Sequence, residues 1–203
     1  MPRIAGQIDL AKSEAILDAA VEVLGERGVS APMEEIARRA CVSKQTIYNH
    51  YGSKAELVRA LCDRRVHEMT APLETPEGIA DPAQALAAFG RILLAKLVEG
   101  NRSQGFFKAA ILGAEEAPEV ARAVYEAGPL QSRLKLAEFL DLETRAGRLA
   151  CPDPLQAAEF FAGMVIGSYQ TAALLGVERG LDTAKADLIA REAARRFLRA
   201  YAA

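Results

Sequence analysis

The sequence predicts an all-α chain of about nine helices, a small three-helix N-terminal domain over residues 1–54 followed by a larger helical domain over residues 55–203. Three observations carry this. Ala and Leu dominate while aromatic residues make up only 6% of the chain and Trp is absent, a composition that favours helices. No run alternates apolar and polar residues with the β-branched and aromatic content of a strand, so no sheet is expected. Apolar residues instead recur three and four apart, in segments bounded by capping residues, Gly and Pro.

The first helix is expected over about Leu10–Arg27, with Ile16, Leu17, Ala20, Val23 and Leu24 on one stripe and Gly28 as its stop. Pro32 suits the first position of a second helix, in which Met33, Ile36, Ala37 and Ala40 follow at helical spacing. After a short turn at Cys41 and Val42, Ser43 is the natural N-cap of a third helix ending near His50. Gly52 breaks the chain, and "SKAE", Ser53 to Glu56, reads as a capping box opening a fourth helix that continues past Met69. Pro72, Pro76 and Gly78 mark the clearest boundary. Beyond it, helices are expected at about Pro82–Glu99, Ser103–Glu115, Pro118–Arg145 (kinked near Gly128-Pro129), Pro154–Gly176 and Thr183–Tyr201.

The third helix is too polar to fold for its own sake. Gln45, Thr46, Tyr48, Asn49 and His50 surround one apolar residue, Ile47. Two short helices joined by a tight turn form a helix-turn-helix. Side chains advance by about 100° per residue, so if Ile47 points inward, Gln45 and Asn49 share the outward face, flanked by Thr46 and Tyr48, with Lys44 and His50 nearer its edges. Asn and Gln can bond N7 and N6 of adenine in a major groove. Thr46 can touch a thymine methyl or a phosphate; Tyr48, His50 and Lys54 are placed for phosphates. Charge agrees: residues 36–66 hold seven basic against two acidic side chains, a net of +5, although the whole chain carries −2 and residues 1–35 carry −4.

The segment "ILDAAVEVLGERGVSAPMEEIARRACVSKQTIYNHYGSKAELVRAL", Ile16 to Leu61, resembles the N-terminal domain of the TetR/AcrR family of transcriptional regulators. The matching residues are Gly28, Ile36-Ala37, Val42-Ser43, Ile47-Tyr48, His50-Tyr51, Ser53-Lys54 and Leu57. The resemblance implies an all-helical homodimer that binds a palindromic operator, usually as a repressor, with a C-terminal domain whose small-molecule ligand releases the DNA. Two positions depart from the family pattern. Ala31-Pro32 stands where a capping Thr or Ser is usual, and Cys41 stands where the turn usually has Gly. If that turn position needs positive φ, Cys41 is mildly strained.

The larger domain says less. "APEVARAVYEAGP", Ala117 to Pro129, resembles the C-terminal domain of AefR-like members. Phe160, Phe161, Met164, Val165 and Ile166 surround their helix, which should therefore be buried on more than one side, and Gly163 and Gly167 would let another helix approach. Ile189, Ala193, Phe197 and Tyr201 recur every four residues on the last helix. The expected dimer interface is a four-helix arrangement using Phe160, Gly163, Gly167, Ile189, Ala193, Phe197 and Tyr201. Candidate pocket residues are Phe89, Leu93, Phe106, Phe107, Ile111, Tyr125, Met164, Ser168 and Tyr169, which would favour a hydrophobic or aromatic effector.

Other classes are disfavoured. No nucleophile–base order, paired carboxylates or Gly-rich phosphate loop appears, so neither catalysis nor a cofactor is expected. His67 and Cys62 are poorly spaced for a metal, and the three cysteines lack any disulfide or zinc pattern, which suits a reducing, cytoplasmic setting. Met1 to Leu17 is too often interrupted by polar residues for a signal peptide. The uncharged stretch Phe160–Val177 contains Ser168, Tyr169, Gln170 and Thr171 and reads as a buried helix rather than a membrane span. The expected partners are therefore double-stranded DNA, a small-molecule effector and a second copy of the chain. Two alternatives use the same residues: a ligand-independent regulator or activator, and a helical small-molecule binding protein with vestigial DNA contacts.

Overall fold

A computed structural model of the protein describes residues 10–97, 102–177 and 180–203, and all their regular elements are helical apart from an isolated bridge between Leu149 and Ala202. In order, the helices are α1 (Leu10–Arg27), α2 (Met33–Arg39), α3 (Lys44–Tyr51), α4 (Lys54–Glu74), α5 (Pro76–Ala80), α6 (Pro82–Ala95), α7 (Arg102–Leu112), α8 (Pro118–Tyr125), α9 (Gln131–Arg145), α10 (Pro154–Ile166), α11 (Tyr169–Leu175) and α12 (Thr183–Ala200).

Differences from expectation have local causes. α4 runs through Pro72 because that proline lies in its last turn, where only one backbone bond is forgone. Thr75 then caps α5, accepting from the Gly78 N–H at 3.1 Å. The expected end of the next helix at Glu99 lies outside the described residues. Between α8 and α9 the chain passes through a π-helical turn, Glu126–Leu130, that absorbs Gly128-Pro129. The expected single helix Pro154–Gly176 is two: Gly167 leaves the helical region at φ +48°, and α11 starts afresh after Ser168. Asp81, Asp153 and Asp182 cap α6, α10 and α12 by accepting from backbone N–H groups three residues on.

The chain forms two compact units, each with its own core. The first comprises the chain up to Arg64 together with Gly105–Gly128. Ile16 and Leu24 of α1, Ile36 of α2, Ile47 of α3 and Leu57 and Leu61 of α4 meet there, joined by Phe106 of α7 and Val120 of α8. Burial of each large side chain stabilises by about 1.5–3 kcal/mol, which is what holds the short helices α2 and α3. α7 and α8 thus contribute to the core of the N-terminal helices.

The second unit comprises Arg65–Gln104 and Pro129–Ala203. Phe161 of α10 sits at its centre, 5.3 Å from Phe197 of α12 and 6.3 Å from Phe89 of α6 between ring centroids. α6 packs along α12. A Cβ on Gly90 would stand 3.2 Å from Val165 and 3.3 Å from Ala190, so a glycine there sets how closely α6 meets α10 and α12.

Candidate nucleic-acid interface

The helix-turn-helix is built by three backbone devices. α2 ends in a Schellman motif: Val42 N–H donates to the Ala37 carbonyl at 3.0 Å and Cys41 N–H to the Arg38 carbonyl at 3.3 Å. The motif needs a left-handed residue at its centre, and Cys41 supplies it at φ +54°, the one non-glycine with positive φ among the described residues. The strain anticipated from the missing glycine is present. Ser43 is extended and caps α3, its hydroxyl accepting from Thr46 N–H at 3.0 Å. Gly52, at φ +74°, ends α3, and Ser53 caps α4 through Glu56 N–H at 3.1 Å. The expected capping box is one-sided: the Ser53 N–H bonds the Tyr51 carbonyl at 2.8 Å. α2 has no side-chain cap, as Ala31-Pro32 implies.

These devices fix the facing of α3. Ile47 is its one buried residue, while Lys44, Gln45, Tyr48, Asn49 and His50 are exposed and Thr46 is half-buried. The outward groups pair among themselves. Gln45 Nε2 donates to Asn49 Oδ1 at 2.6 Å, and the Ser43 and Thr46 hydroxyls lie 2.8 Å apart. The Lys44 ammonium pairs with the Glu34 carboxylate of α2 and lies 5.5 Å from the centre of the Tyr48 ring. That hydrogen bond holds the Glu34 carboxyl below the usual carboxylate range and raises Lys44. The His50 and Tyr51 rings meet edge to face at 4.5 Å, and the Tyr51 hydroxyl lies 3.0 Å from that of Ser13 in α1.

Lys54 is half-buried and donates to the Val29 carbonyl at 3.1 Å; burial lowers its pKa. The concentration of positive charge expected around the motif is largely paired within the unit. Arg39 bonds Glu22 at 2.8 Å and Glu26 at 3.0 Å, Arg64 bonds Glu14 and Asp18, and Arg59 bonds Glu126 at 2.9 Å. The acidic segment thus folds onto the basic one. Exposed Arg38 takes part in no ion pair among the described residues. Glu34 was not among the site residues the sequence suggested. Its place on α2, which lies against α3, could have indicated it.

The residues suggested for a pocket divide between the units. Phe106 and half-buried Phe107 belong to the first core, where Ile111 and Tyr125 are 47% and 60% exposed. Phe89, Leu93 and Tyr169 belong to the second core, and Met164 and Ser168 are exposed. The suggested dimer residues also divide. Phe160, Gly163 and Gly167 share an open face of α10 with Met164, so α10 is buried on one side rather than all round. Phe197 is fully buried against Phe161, and Ala193 is buried beside it. Their stripe belongs to the unit's own core, and Ile189 and Tyr201 are half-buried along it.

No helix among the described residues is long and apolar enough to cross a membrane, and no group of His, Cys, Asp or Glu among them is arranged to hold a metal ion.

An all-helical chain with a capped helix-turn-helix whose second helix turns amide and hydroxyl groups outward defines a transcriptional regulator of the helix-turn-helix class. Comparison with known proteins specifies which. Residues 16–61 match the family model for bacterial regulatory proteins of the tetR family, and residues 84–203 match that of the AefR-like transcriptional repressor C-terminal domain. The HTH-type transcriptional repressor Rv3405c of Mycobacterium tuberculosis is 32% identical over 132 residues, 64% of this chain and 68% of that protein. The crystal structure of a TetR-family transcriptional regulator from Mesorhizobium loti superposes with a TM-score of 0.75 at 24% identity, covering 96% of this chain and 98% of that one. The flavonoid-responsive regulator FrrA superposes at 0.70 with 28% identity, covering 96% and 98%. The chain belongs to the TetR family of transcriptional regulators, with an AefR-like C-terminal domain, and is not an enzyme.

Proposed function

We propose that this regulator is a cytoplasmic, homodimeric repressor that binds a palindromic operator and is released by a small hydrophobic or aromatic effector. The observation that carries the reading is the orientation of α3: buried Ile47 sends Gln45 and Asn49 outward together. They read adenines in the major groove, Thr46 meets a thymine methyl or a phosphate, and Tyr48, His50 and Lys54 complete the contact surface, with Lys44 at its edge. Residues 1–54 carry this function, and residues 55–203 carry effector binding and dimerisation.

The open face of Phe160, Gly163 and Met164 on α10, with Gly167 at its end, supports dimerisation, with Ile189 of α12 and Tyr201 just beyond it as candidate neighbours. Phe160 is 55% and Met164 43% exposed, and covering such side chains drives association. The aromatic residues of the larger unit, with Ser168 and Tyr169, support an aromatic effector class, as does the 28% identity to a flavonoid-responsive regulator. The effector acts by favouring a separation of the two reading helices that no longer matches the operator.

Sedimentation equilibrium tests the dimer. The wild type should sediment as a dimer and the Phe160→Asp variant as a monomer with lost operator binding. A monomeric wild type that still binds the whole palindrome would refute it. Titration of the protein–operator complex with a flavonoid panel tests the effector class, which predicts release by at least one member.

A further inference from the structure

The ion pair between Glu34 and Lys44 has a consequence for how the regulator discriminates among DNA sequences. Lys44 opens the recognition helix, and on charge alone it is the natural phosphate clamp of the motif. It is held instead by Glu34, which lies on α2 and exposes 56% of its side chain. Lys44 also leans over the Tyr48 ring, so its ammonium is engaged from two sides. Glu34 and Lys44 are each drawn toward their charged forms by the bond between them, so the pair is fully ionised at neutral pH.

We propose that Glu34 is a specificity-determining residue: it neutralises Lys44 so that the recognition helix gains little from phosphates of arbitrary sequence and depends on the base contacts of Gln45 and Asn49. This rests on the reading of α3 as the operator-contacting helix. The physical argument is one of differential binding. Non-specific affinity comes almost entirely from cations that neutralise phosphates and release counterions. Arg39 and Arg64 are already committed to acids of α1. Another cation withdrawn by Glu34 lowers the affinity for sequences on which α3 has only phosphates to hold. The operator differs in this proposal: base contacts of Gln45 and Asn49 fix α3 there with Lys44 still on Glu34, so operator affinity stays nearly unchanged. An acid at this position therefore widens the ratio between operator and random DNA, the quantity that matters when competing sites are numerous.

The test is a double-mutant cycle of Glu34→Gln, Lys44→Gln and the double variant. Each binds two duplexes of equal length, the operator recovered from genomic selection and a scrambled sequence, across a salt series. Glu34→Gln keeps the side-chain shape, and thermal melts confirm that each variant folds. The expected result is a rise of about threefold to tenfold in affinity for scrambled DNA, with a salt slope steeper by about 0.9 and operator affinity nearly unchanged. The double variant should return scrambled binding to the wild-type level. Equal gains on both duplexes would overturn the proposal, showing only a general electrostatic penalty, as would no gain on scrambled DNA. A wild type that prefers neither duplex would refute the operator reading itself, and the inference with it.

Discussion

The side-chain amide of Gln45 donates to Oδ1 of Asn49 at 2.6 Å, bridging one turn of α3 on the face opposite the buried Ile47. The two groups assigned to base reading therefore satisfy each other when no DNA is present. An exposed pair of this kind is worth about 0.2–0.5 kcal/mol. A bidentate bond to adenine discriminates by about 1–3 kcal/mol, so the pair opens readily for the right base and gains nothing from the wrong one.

Asn49→Ala removes one amide and leaves the fold intact, because the side chain is exposed. It should cost about 1–3 kcal/mol on the operator and flatten the preference at one base pair of each half-site, measured with single-substitution duplexes. Lys54→Gln should weaken binding to every duplex alike. If Asn49→Ala left the base preference untouched, the facing assigned to α3 would be wrong.

The turn between α2 and α3 can be improved or damaged predictably. Ser43→Ala deletes the α3 cap and should destabilise the chain by about 1 kcal/mol. Cys41→Gly relieves a left-handed non-glycine and should stabilise by about 1 kcal/mol. Denaturant midpoints at constant slope measure both, and a loss of stability in Cys41→Gly would refute the strain.

In the loop between α9 and α10, Arg148 holds the Glu143 carboxylate with two bonds of 2.6 and 2.7 Å, and that carboxylate is only 1% exposed. Arg148→Met strands a buried charge and should destabilise markedly, whereas pairing it with Glu143→Met should recover most of the loss. Thermal melts of the single and double variants decide; a double variant no better than the single would count against the buried pair as the cause.

On α12, hydrogen bonds from Arg195 and then Arg196 pull the Glu192 carboxyl down to about 2 from an ordinary 4.5. A depressed pKa stabilises the fold above the unfolded value, and the contribution is lost as pH falls through the folded one. The difference in stability between wild type and Glu192→Gln should therefore be constant above about pH 5 and shrink toward pH 2. A difference that grew on acidification would have the wrong sign.

The local architecture of the motif was legible in the sequence because each device is made by neighbours in the chain. Ser43 as a cap, Ile47 as the inward side chain and positive φ at Cys41 follow from a few adjacent residues. What was not legible depends on contacts between distant segments. Helical period shows that Ala193 and Phe197 share a face, but not whether that face meets Phe161 of the same chain or a second copy. The pairing of Glu34 with Lys44 and of Arg39 with Glu22 and Glu26 depends on how helices are laid together, so a local count of charge overstated the free positive charge. Phe106 and Val120 join the N-terminal core from far along the chain, which no local pattern announces. Gly167 was read as a packing residue, whereas its φ of +48° makes it the break between α10 and α11.

The central claim is that α3 reads a specific operator as part of a dimer. The most direct measurement is selection of bound fragments from the source genome by the purified protein near physiological salt. The account predicts recovery of a shared palindrome whose half-sites lie about one helical turn, or ~10 base pairs, apart or a multiple of it. Fragments with no common motif, and binding that disappears as salt approaches the physiological range, would contradict it.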